Sequence, residues 1–413
     1  MLFHRNRADE YMRRCGLDAL VATTPLNITY FTDYFQWTDF VFKGYMTSPG
    51  GPSHLGQGYA LYPAVGEPAL VVGPFTAVNA GDVWVRDWYL YGDGGLDFAA
   101  TPTDEPDSAL LTMLRESTRR ETPTQALAAS LRDRGLLRGR IGIEMEGMTP
   151  AGLQELHDIL PDVEWKDCSN LIRLIRAVKS PEEMARLVRA AEINEQAGME
   201  ALELARPGVS ALELVGHFRR RVGEFGADVD HFAYGMRGMG MGSAVDYRFA
   251  ANDILFVDFG CNYRHYFSDT GTTLMLGTPP KVMEERFRAA RECLLAGMAQ
   301  MKPGVRASVV RGAMMETLNG RGVTVANPHG HGFGLDVRDY PIVVADNGLR
   351  IRDECVDVPS DLPLEVDMVI NLEVPIFVPG AGSVHSEQSF VVTADGARPL
   401  VPQDRSDPVR PGA

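Results

Sequence analysis

Hydrophobic and polar positions change period several times along this chain, and each change predicts an element. Over residues 8 to 166, short apolar runs alternate with amphipathic stretches. Leu17–Thr23 and Glu67–Val72 read as strands. Asp107–Arg120 and Pro123–Gly135 read as helices, followed by a strand over Arg140–Glu144, a helix over Thr149–Leu160 and a strand over Val163–Asp167. Helices alternating with strands predict an α/β sheet layered with helices. Ser48–Gly58 is a Gly/Pro-rich loop within it. A second unit begins near Lys179. There Ser180-Pro181-Glu182-Glu183 forms a capping box with proline at the first helical position, and apolar periodicity continues to about Ala205. Ser210-Ala211-Leu212-Glu213 repeats the signal for a helix reaching Phe225. The expected organisation is a domain over 1–166, a second over 167–401, and a disordered Pro/Asp/Arg-rich tail over 402–413.

The second unit carries an internal echo. Ala205-Arg206-Pro207-Gly208-Val209-Ser210 separates two helical stretches, and Met301-Lys302-Pro303-Gly304-Val305-Arg306 does the same after the helix that starts near Pro280. In each half, two helices lead into strands that carry acids. The pattern predicts a diverged duplication, two α/β halves meeting at a pseudo-twofold axis.

Those acids stand where apolar residues belong. Asn252–Gly260 (NDILFVDFG) should be a strand buried on both faces, yet it contains Asp258. Asp269 follows eleven residues later in Tyr266–Leu276, and Cys261–His265 is short enough to close a hairpin between the two. Glu373 interrupts the apolar run Met368–Phe377, and Glu387 heads the next one. A buried carboxylate without a partner costs several kcal/mol, and these segments supply little positive charge. Two divalent cations would neutralise four carboxylates. His331, flanked by glycines in Asn327-Pro328-His329-Gly330-His331-Gly332-Phe333-Gly334-Leu335, is the candidate nitrogen ligand. Four carboxylates with one imidazole suit Mn²⁺ best, with Zn²⁺, Co²⁺ or Fe²⁺ as alternatives. A pair of ions about 3.5 Å apart could activate a water for hydrolysis.

Composition narrows the classes. At 413 residues, 45% hydrophobic and 23% charged, this is an ordinary globular chain. A net charge of −15 without a Lys/Arg-rich block argues against a broad nucleic-acid face. Five scattered cysteines with no CxxC argue against a disulfide framework or a thiolate zinc site and fit a reducing cytoplasm. The start, Met1–Arg7, lacks the apolar stretch of a signal peptide, and no run of about 18 apolar residues predicts a membrane span.

With these motifs in order, the chain resembles the pita-bread family of creatinase, prolidase, aminopeptidase P and methionine aminopeptidase. The matching stretches are Asp258-Phe259-Gly260 through Ser268-Asp269, Gly330–Leu335, Leu372-Glu373 and Ser386-Glu387, with the lead-in Leu171–Glu183 similar to the junction of two-domain members. The resemblance implies a creatinase-type α/β N-terminal domain before a pita-bread α+β domain with a pseudo-twofold repeat. It implies Asp258, Asp269, His331, Glu373 and Glu387 as ligands of two ions, Asp269 and Glu387 bridging them. It also implies Glu373 as the group that takes the water's proton.

Three positions depart from the family pattern. Gly235–Ser243 lacks the histidine that peptidases of the family carry there; it holds Met236, Met239 and Met241, which could line a flexible wall, and His231 lies outside the matching place. Arg338-Asp339 replaces a His-Glu pair, and His385 replaces an arginine two residues before the last ligand. Arg338 could clamp a substrate carboxylate or pair instead with Asp336 or Asp339. Arg338, His385 and His231 are the candidate substrate contacts. The leading expectation is a dinuclear metal-dependent hydrolase of a peptide-type C–N bond, similar to an Xaa-Pro dipeptidase or aminopeptidase P. The alternative is a member acting on a small non-peptide metabolite as another C–N hydrolase or a lyase; a non-catalytic binding module comes third. A homodimer is expected, since in two-domain relatives the N-terminal domain often helps form one. The aromatics Tyr30, Tyr34, Trp37, Phe40, Phe42 and Tyr45, with the 48–58 loop, are expected either to reach a site or to pack the first core.

Overall fold

The computed structural model describes residues 1–40, 49–50, 56–80, 83–92, 96–97 and 108–412. Residues 1–175 with 351–357 form one compact unit, and 176–350 with 358–413 form the second. The division thus lies beyond the expected 166/167. The helix Ser169–Arg176 is the reason: its Leu171 N–H donates to Asp353 Oδ2 at 2.9 Å, and Asn170 Nδ2 donates to the Arg352 carbonyl at 2.8 Å, so 351–357 packs within the first unit.

The first unit is built on strands β1 (Ala19–Ala22), β2 (Tyr59–Pro63), β3 (Ala69–Val72), β4 (Asp87–Leu90), β5 (Arg140–Ile143) and β6 (Glu164–Asp167) in the order β4-β3-β2-β1-β5-β6. The helix Pro123–Asp133 buries Ala126, Leu127 and Leu131 in a core shared with Val21, Val71 and Ile143. A helix over Pro25–Thr32 was hidden in the sequence, because Ile28-Thr29-Tyr30-Phe31 has the β-branched and aromatic character of a strand. What fixes it comes from far along the chain. Glu144, 1% exposed, accepts from the backbone N–H of Thr23 at 2.8 Å and of Thr24 at 2.9 Å, and from Asn27 Nδ2 at 2.5 Å. An anion at a helix N-terminus satisfies donors with no partner inside the helix. Tyr30 and Tyr34 are core residues, whereas Trp37 is exposed. Phe42, Tyr45, most of the 48–58 loop and the Phe40 side chain lie outside the described residues.

In the second unit both expected capping boxes are present, Ser180 with Glu183 and Ser210 with Glu213, at the heads of helices Pro181–Leu202 and Ala211–Glu224. Helices Lys281–Gln300 and Ala307–Gly320 take the same places in the second half. The strands are β7 (Asp228–Gly235), β8 (Met241–Gly242), β9 (Ile254–Tyr263), β10 (Tyr266–Met275), β11 (His329–Gly332) and β12 (Asp339–Val343). A small ribbon follows, β13 (Arg350–Arg352) with β14 (Asp357–Pro359), then β15 (Val369–Val378), β16 (Gly382–Val392) and β17 (Ala397–Pro399). The main sheet runs β12-β11-β15-β16-β10-β9-β7-β8, with β17 against β16. From the centre outward, β10-β9-β7 mirrors β16-β15-β11, as a pseudo-twofold duplication requires.

Period-two alternation then sorts the side chains. Leu255, Val257, Phe259 and Cys261 of β9 and Ile370, Leu372 and Val374 of β15 join the helix-side cores, which turns Asp258 and Glu373 to the opposite face. The two halves meet at β10 and β16 through hydroxyls. Thr273 Oγ1 accepts from His385 N–H at 2.8 Å and donates to the His385 carbonyl at 2.9 Å, while Ser389 Oγ donates to the Asp269 carbonyl at 3.1 Å. One residue pair, Gly271 with Glu387, is in ladder register there, against ten along β9–β10.

The tail is not disordered as expected. Val409 exchanges backbone hydrogen bonds with Thr273 and Met275, at 2.8 and 2.9 Å, and buries its side chain in the helix-side core. Arg405, 5% exposed, pairs with Glu195 of the long helix. Composition counts polar residues and carries no information on the partners that Val409 and Arg405 meet. Among the described residues, no helix is long and apolar enough to cross a membrane.

Candidate active site

The register lays the acids out in two neighbouring rows on one face. Ala233, Asp258, Gly271, Glu387, Glu373 and His329 follow one another across β7, β9, β10, β16, β15 and β11. His231, Gly260 and Asp269 lie in the next row on one side, and Ser389, Asn371 and His331 on the other. The hairpin turn between β9 and β10 is Arg264-His265, both at positive φ (49° and 73°), which suits a tight two-residue turn. Glycine is required at two of the row positions. A Cβ on Gly271 would lie 2.3 Å from His385 Nδ1 and 2.5 Å from Glu387 Oε2, and one on Gly260 would lie 2.5 Å from the His231 ring.

All five residues expected as ligands come together. His331 Nε2 lies 3.5 Å from Asp269 Oδ2 and 3.9 Å from Glu373 Oε1. Asn371 Nδ2 donates to Glu387 Oε1 at 2.5 Å. His231 Nε2 sits 2.7 Å from Asp258 Oδ1 and 3.4 Å from Asp269 Oδ1, its Nδ1 held by Asp230 Oδ2 at 2.8 Å. Arg338, half-exposed, donates from Nη2 to Glu373 Oε1 at 2.9 Å. The expected pairing of Arg338 with Asp339 does not occur, because Asp339 is taken by the buried Arg176, whose Nε donates to it at 3.1 Å. His385 is fully buried, its ring stacked on Phe256 at 3.9 Å. Like His331, it has no surface exposed to solvent, so its ring lies beneath the site face and not at an open edge.

His329 was overlooked in the sequence. Its Nε2 lies 2.8 Å from Glu373 Oε1 and its Nδ1 2.9 Å from the Asn327 carbonyl. The signal was there: in a strand, residues two apart share a face, so His329-Gly330-His331 puts both imidazoles on the acid side.

Electrostatics separates the carboxyls. Burial pushes Glu387 well above the ordinary range, reinforced by Asp258 and Asp269, and burial likewise raises Asp258 against the hydrogen bond from His231. For Glu373, burial is outweighed by the His329 hydrogen bond and charge, which bring it down to about 2. His231 is pushed up to about 11: burial opposes its charge, but Asp230 and Asp258 prevail. Burial lowers His385.

Asp269 Oδ1, Glu387 Oε2 and His331 Nε2 are buried and have no hydrogen-bond partner. Such groups are normally satisfied, and a hard or borderline divalent cation is the partner that carboxylate oxygens and an imidazole nitrogen can share. The residues present therefore fit a divalent metal.

Comparison with known proteins agrees with this chemistry. A family model described as metallopeptidase family M24 matches residues 183–394, and one described as a creatinase/prolidase N-terminal domain matches residues 4–178. An Xaa-Pro dipeptidase from Pyrococcus horikoshii is 29% identical over 279 residues, covering 65% of this chain and 75% of that protein. An uncharacterized peptidase from Bacillus subtilis is 27% identical over 268 residues, covering 63% and 72%. The solved structure of an Xaa-Pro dipeptidase from Bacillus anthracis superposes with a TM-score of 0.72 at 19% identity, covering 98% of each chain. At that identity the superposition speaks for the fold.

Proposed function

We propose a dinuclear site for this chain, which belongs to metallopeptidase family M24. The chain is a metal-dependent peptidase, with a creatinase-type N-terminal domain before a pita-bread domain. In this reading Asp258, Asp269, His331, Glu373 and Glu387 would hold two divalent ions. Mn²⁺ is the ion favoured by four carboxylates and one imidazole. The observation that carries the reading is the set of orphaned ligand atoms on Asp269, Glu387 and His331, gathered on one sheet face.

Bound there, divalent ions would polarise the scissile carbonyl and make a water acidic enough to attack at neutral pH. Glu373 takes the water's proton and delivers it to the leaving nitrogen. Its Oε1 is held by His329, which keeps the carboxyl ionised, and by Arg338, which helps to aim it. Arg338 is the exposed cation at this edge, and its guanidinium suits a two-pronged grip on a carboxylate. A substrate carboxylate that draws Arg338 to itself would free one side of Glu373 as the substrate arrives. The substrate is thus a dipeptide with a free C-terminus, and the Xaa-Pro class is the first to test. The setting is a cytoplasmic homodimer, to be checked by light scattering on the purified chain.

A second reading, a small non-peptide amide or a lyase substrate, draws on the missing histidine of Gly235–Ser243 and on Arg338 in a histidine's place. A panel of Xaa-Pro dipeptides, their C-terminal amides and small non-peptide amides separates the two, run on metal-stripped chain with Mn²⁺, Zn²⁺, Co²⁺ or Fe²⁺ restored. Dipeptide turnover is expected, lost with chelator and falling for the amides. Arg338→Ala should raise KM for free-carboxylate dipeptides by about tenfold or more and leave the amides little changed. No dipeptide turnover with any ion would sink the first reading.

A further inference from the structure

His385 was expected at the substrate and is found instead sealed beneath the acids. It lies on β16 two residues before Glu387, so both side chains leave the strand on the same face. Every part of the residue is pinned. Its backbone N–H and carbonyl both bond Thr273 Oγ1, Phe256 covers one ring face at an interplanar angle of 16°, and Gly271 leaves room for Nδ1. Nδ1 stands 3.3 Å from the Val257 carbonyl oxygen. A carbonyl oxygen can only accept, so Nδ1 carries the hydrogen and Nε2 keeps a lone pair in the neutral ring.

That lone pair has no hydrogen-bond partner. It faces Glu387 Oε2 across 3.7 Å, and that oxygen has none either. The gap is too long for a hydrogen bond, so neither atom satisfies the other. A cation between them gives both atoms a partner. Ligand atoms of Glu373, His385 and Glu387 all lie within 4.8 Å of one another, the spacing for one ion with bonds of about 2.0–2.2 Å. The Nδ1–carbonyl contact is also the outer partner that orients a ligating imidazole.

We propose that His385 Nε2 is a sixth protein ligand of the dinuclear site, bound to the ion shared by Glu373 and Glu387. The proposal rests on the dinuclear reading and deepens it. A neutral imidazole then stands where the resemblance places an arginine, and Arg338 restores positive charge at the rim beside Glu373. A further nitrogen donor moves the site's preference away from Mn²⁺, toward Zn²⁺, Co²⁺ or Fe²⁺.

The test is X-ray absorption on the zinc-loaded full chain, with zinc counted by elemental analysis. Wild type is expected to hold two zinc ions and at least about one imidazole per ion, since His331 and His385 are distributed over two. His385→Gln and His385→Arg, saturated with zinc, should each lose about half an imidazole per ion, and titration should show one site weakened by about tenfold or more. Two zinc ions with only about half an imidazole per ion in wild type overturns the proposal and leaves the dinuclear reading standing. So does an unchanged imidazole number in either variant at full loading. Fewer than two ions in wild type overturns both. Should neither variant fold, zinc-loaded His231→Ala and His329→Ala decide the matter: each keeps about one imidazole per ion if His385 supplies the second, and a drop to about half in either overturns the proposal.

Discussion

The two halves of the metallopeptidase sheet share one scaffold and carry different chemistry. Across the pseudo-twofold, register pairs Asp269 with Glu387, and His231 with His329. At those positions the halves agree in kind. Elsewhere they part: Asp258 corresponds to Asn371, Gly260 to Glu373, and Ala233 to His331. Each half thus has a position where the other's acid is answered by a neutral residue. Duplication supplies the acid pair Asp269 and Glu387 at the axis; divergence places Glu373 where the other half has glycine. The second half also supplies both His331 and Arg338, so the contacts made to Glu373 come from its own side of the axis.

Removing that asymmetry should have the largest effect. Glu373→Gln is expected to lower kcat by a thousandfold or more, about 4 kcal/mol, with an unchanged melting temperature in steady-state and thermal assays. Near-normal turnover would mean the second half's additional acid is not the proton carrier.

The next contrast is at the helix starts. The third residue of Pro181–Leu202 is Glu183, and the third of Lys281–Gln300 is Met283; both are buried. Glu183 accepts from Ser180 N–H at 2.7 Å and from the Tyr266 hydroxyl at 3.1 Å, yet burial pushes it up to about 7 despite Lys179. Its native pKa lies above the unfolded value, so the native state holds a proton that the unfolded chain has released. Stability should therefore fall as pH rises from about 4.5 to the native value, and the full penalty stands above it. The penalty is on the order of 3 kcal/mol. Denaturation of metal-stripped chain at pH 5 and pH 8 should show it, and Glu183→Gln should flatten that part of the pH dependence. Equal slopes for the two proteins would remove Glu183 from the account.

The smallest contrast lies where each helix crosses its sheet. A Cβ on Gly198 would sit 2.0 Å from the rigid Phe259 ring, whereas one on Gly297 meets the pliable Met314 at 2.7 Å and Leu372 at 3.1 Å. Gly198→Ala should cost about 2 kcal/mol more than Gly297→Ala, read from paired urea curves. Equal costs would show that Phe259 gives way as easily as a methionine.

Much of this was legible in the sequence because it was local. An acid inside an Ile/Leu/Val/Phe run declares a strand with a functional face, and Ser180 with Glu183 declares a helix start. Asp258 and Glu373 stand out that way, Asp269 and Glu387 by the strands beside them, and His331 by its flanking glycines; all five gather on one face. What stayed hidden depends on partners far along the chain. The helix at Pro25 needs Glu144, the place of Asp339 is decided by Arg176, and the tail is held by Thr273 and Glu195. His385 looked like a rim residue because spacing gives depth no coordinate; Phe256 and Gly271 set its depth.

The join between β10 and β16 has a mechanical consequence. Strands that elsewhere zip together by backbone bonds are there buttoned by hydroxyls, and Asp269 and Glu387 straddle that line. Ions seated across it would act as rivets along a seam with little backbone pairing. Chelation should then loosen this line before either half frays, and amide exchange along Thr270–Thr273 would be the first to quicken.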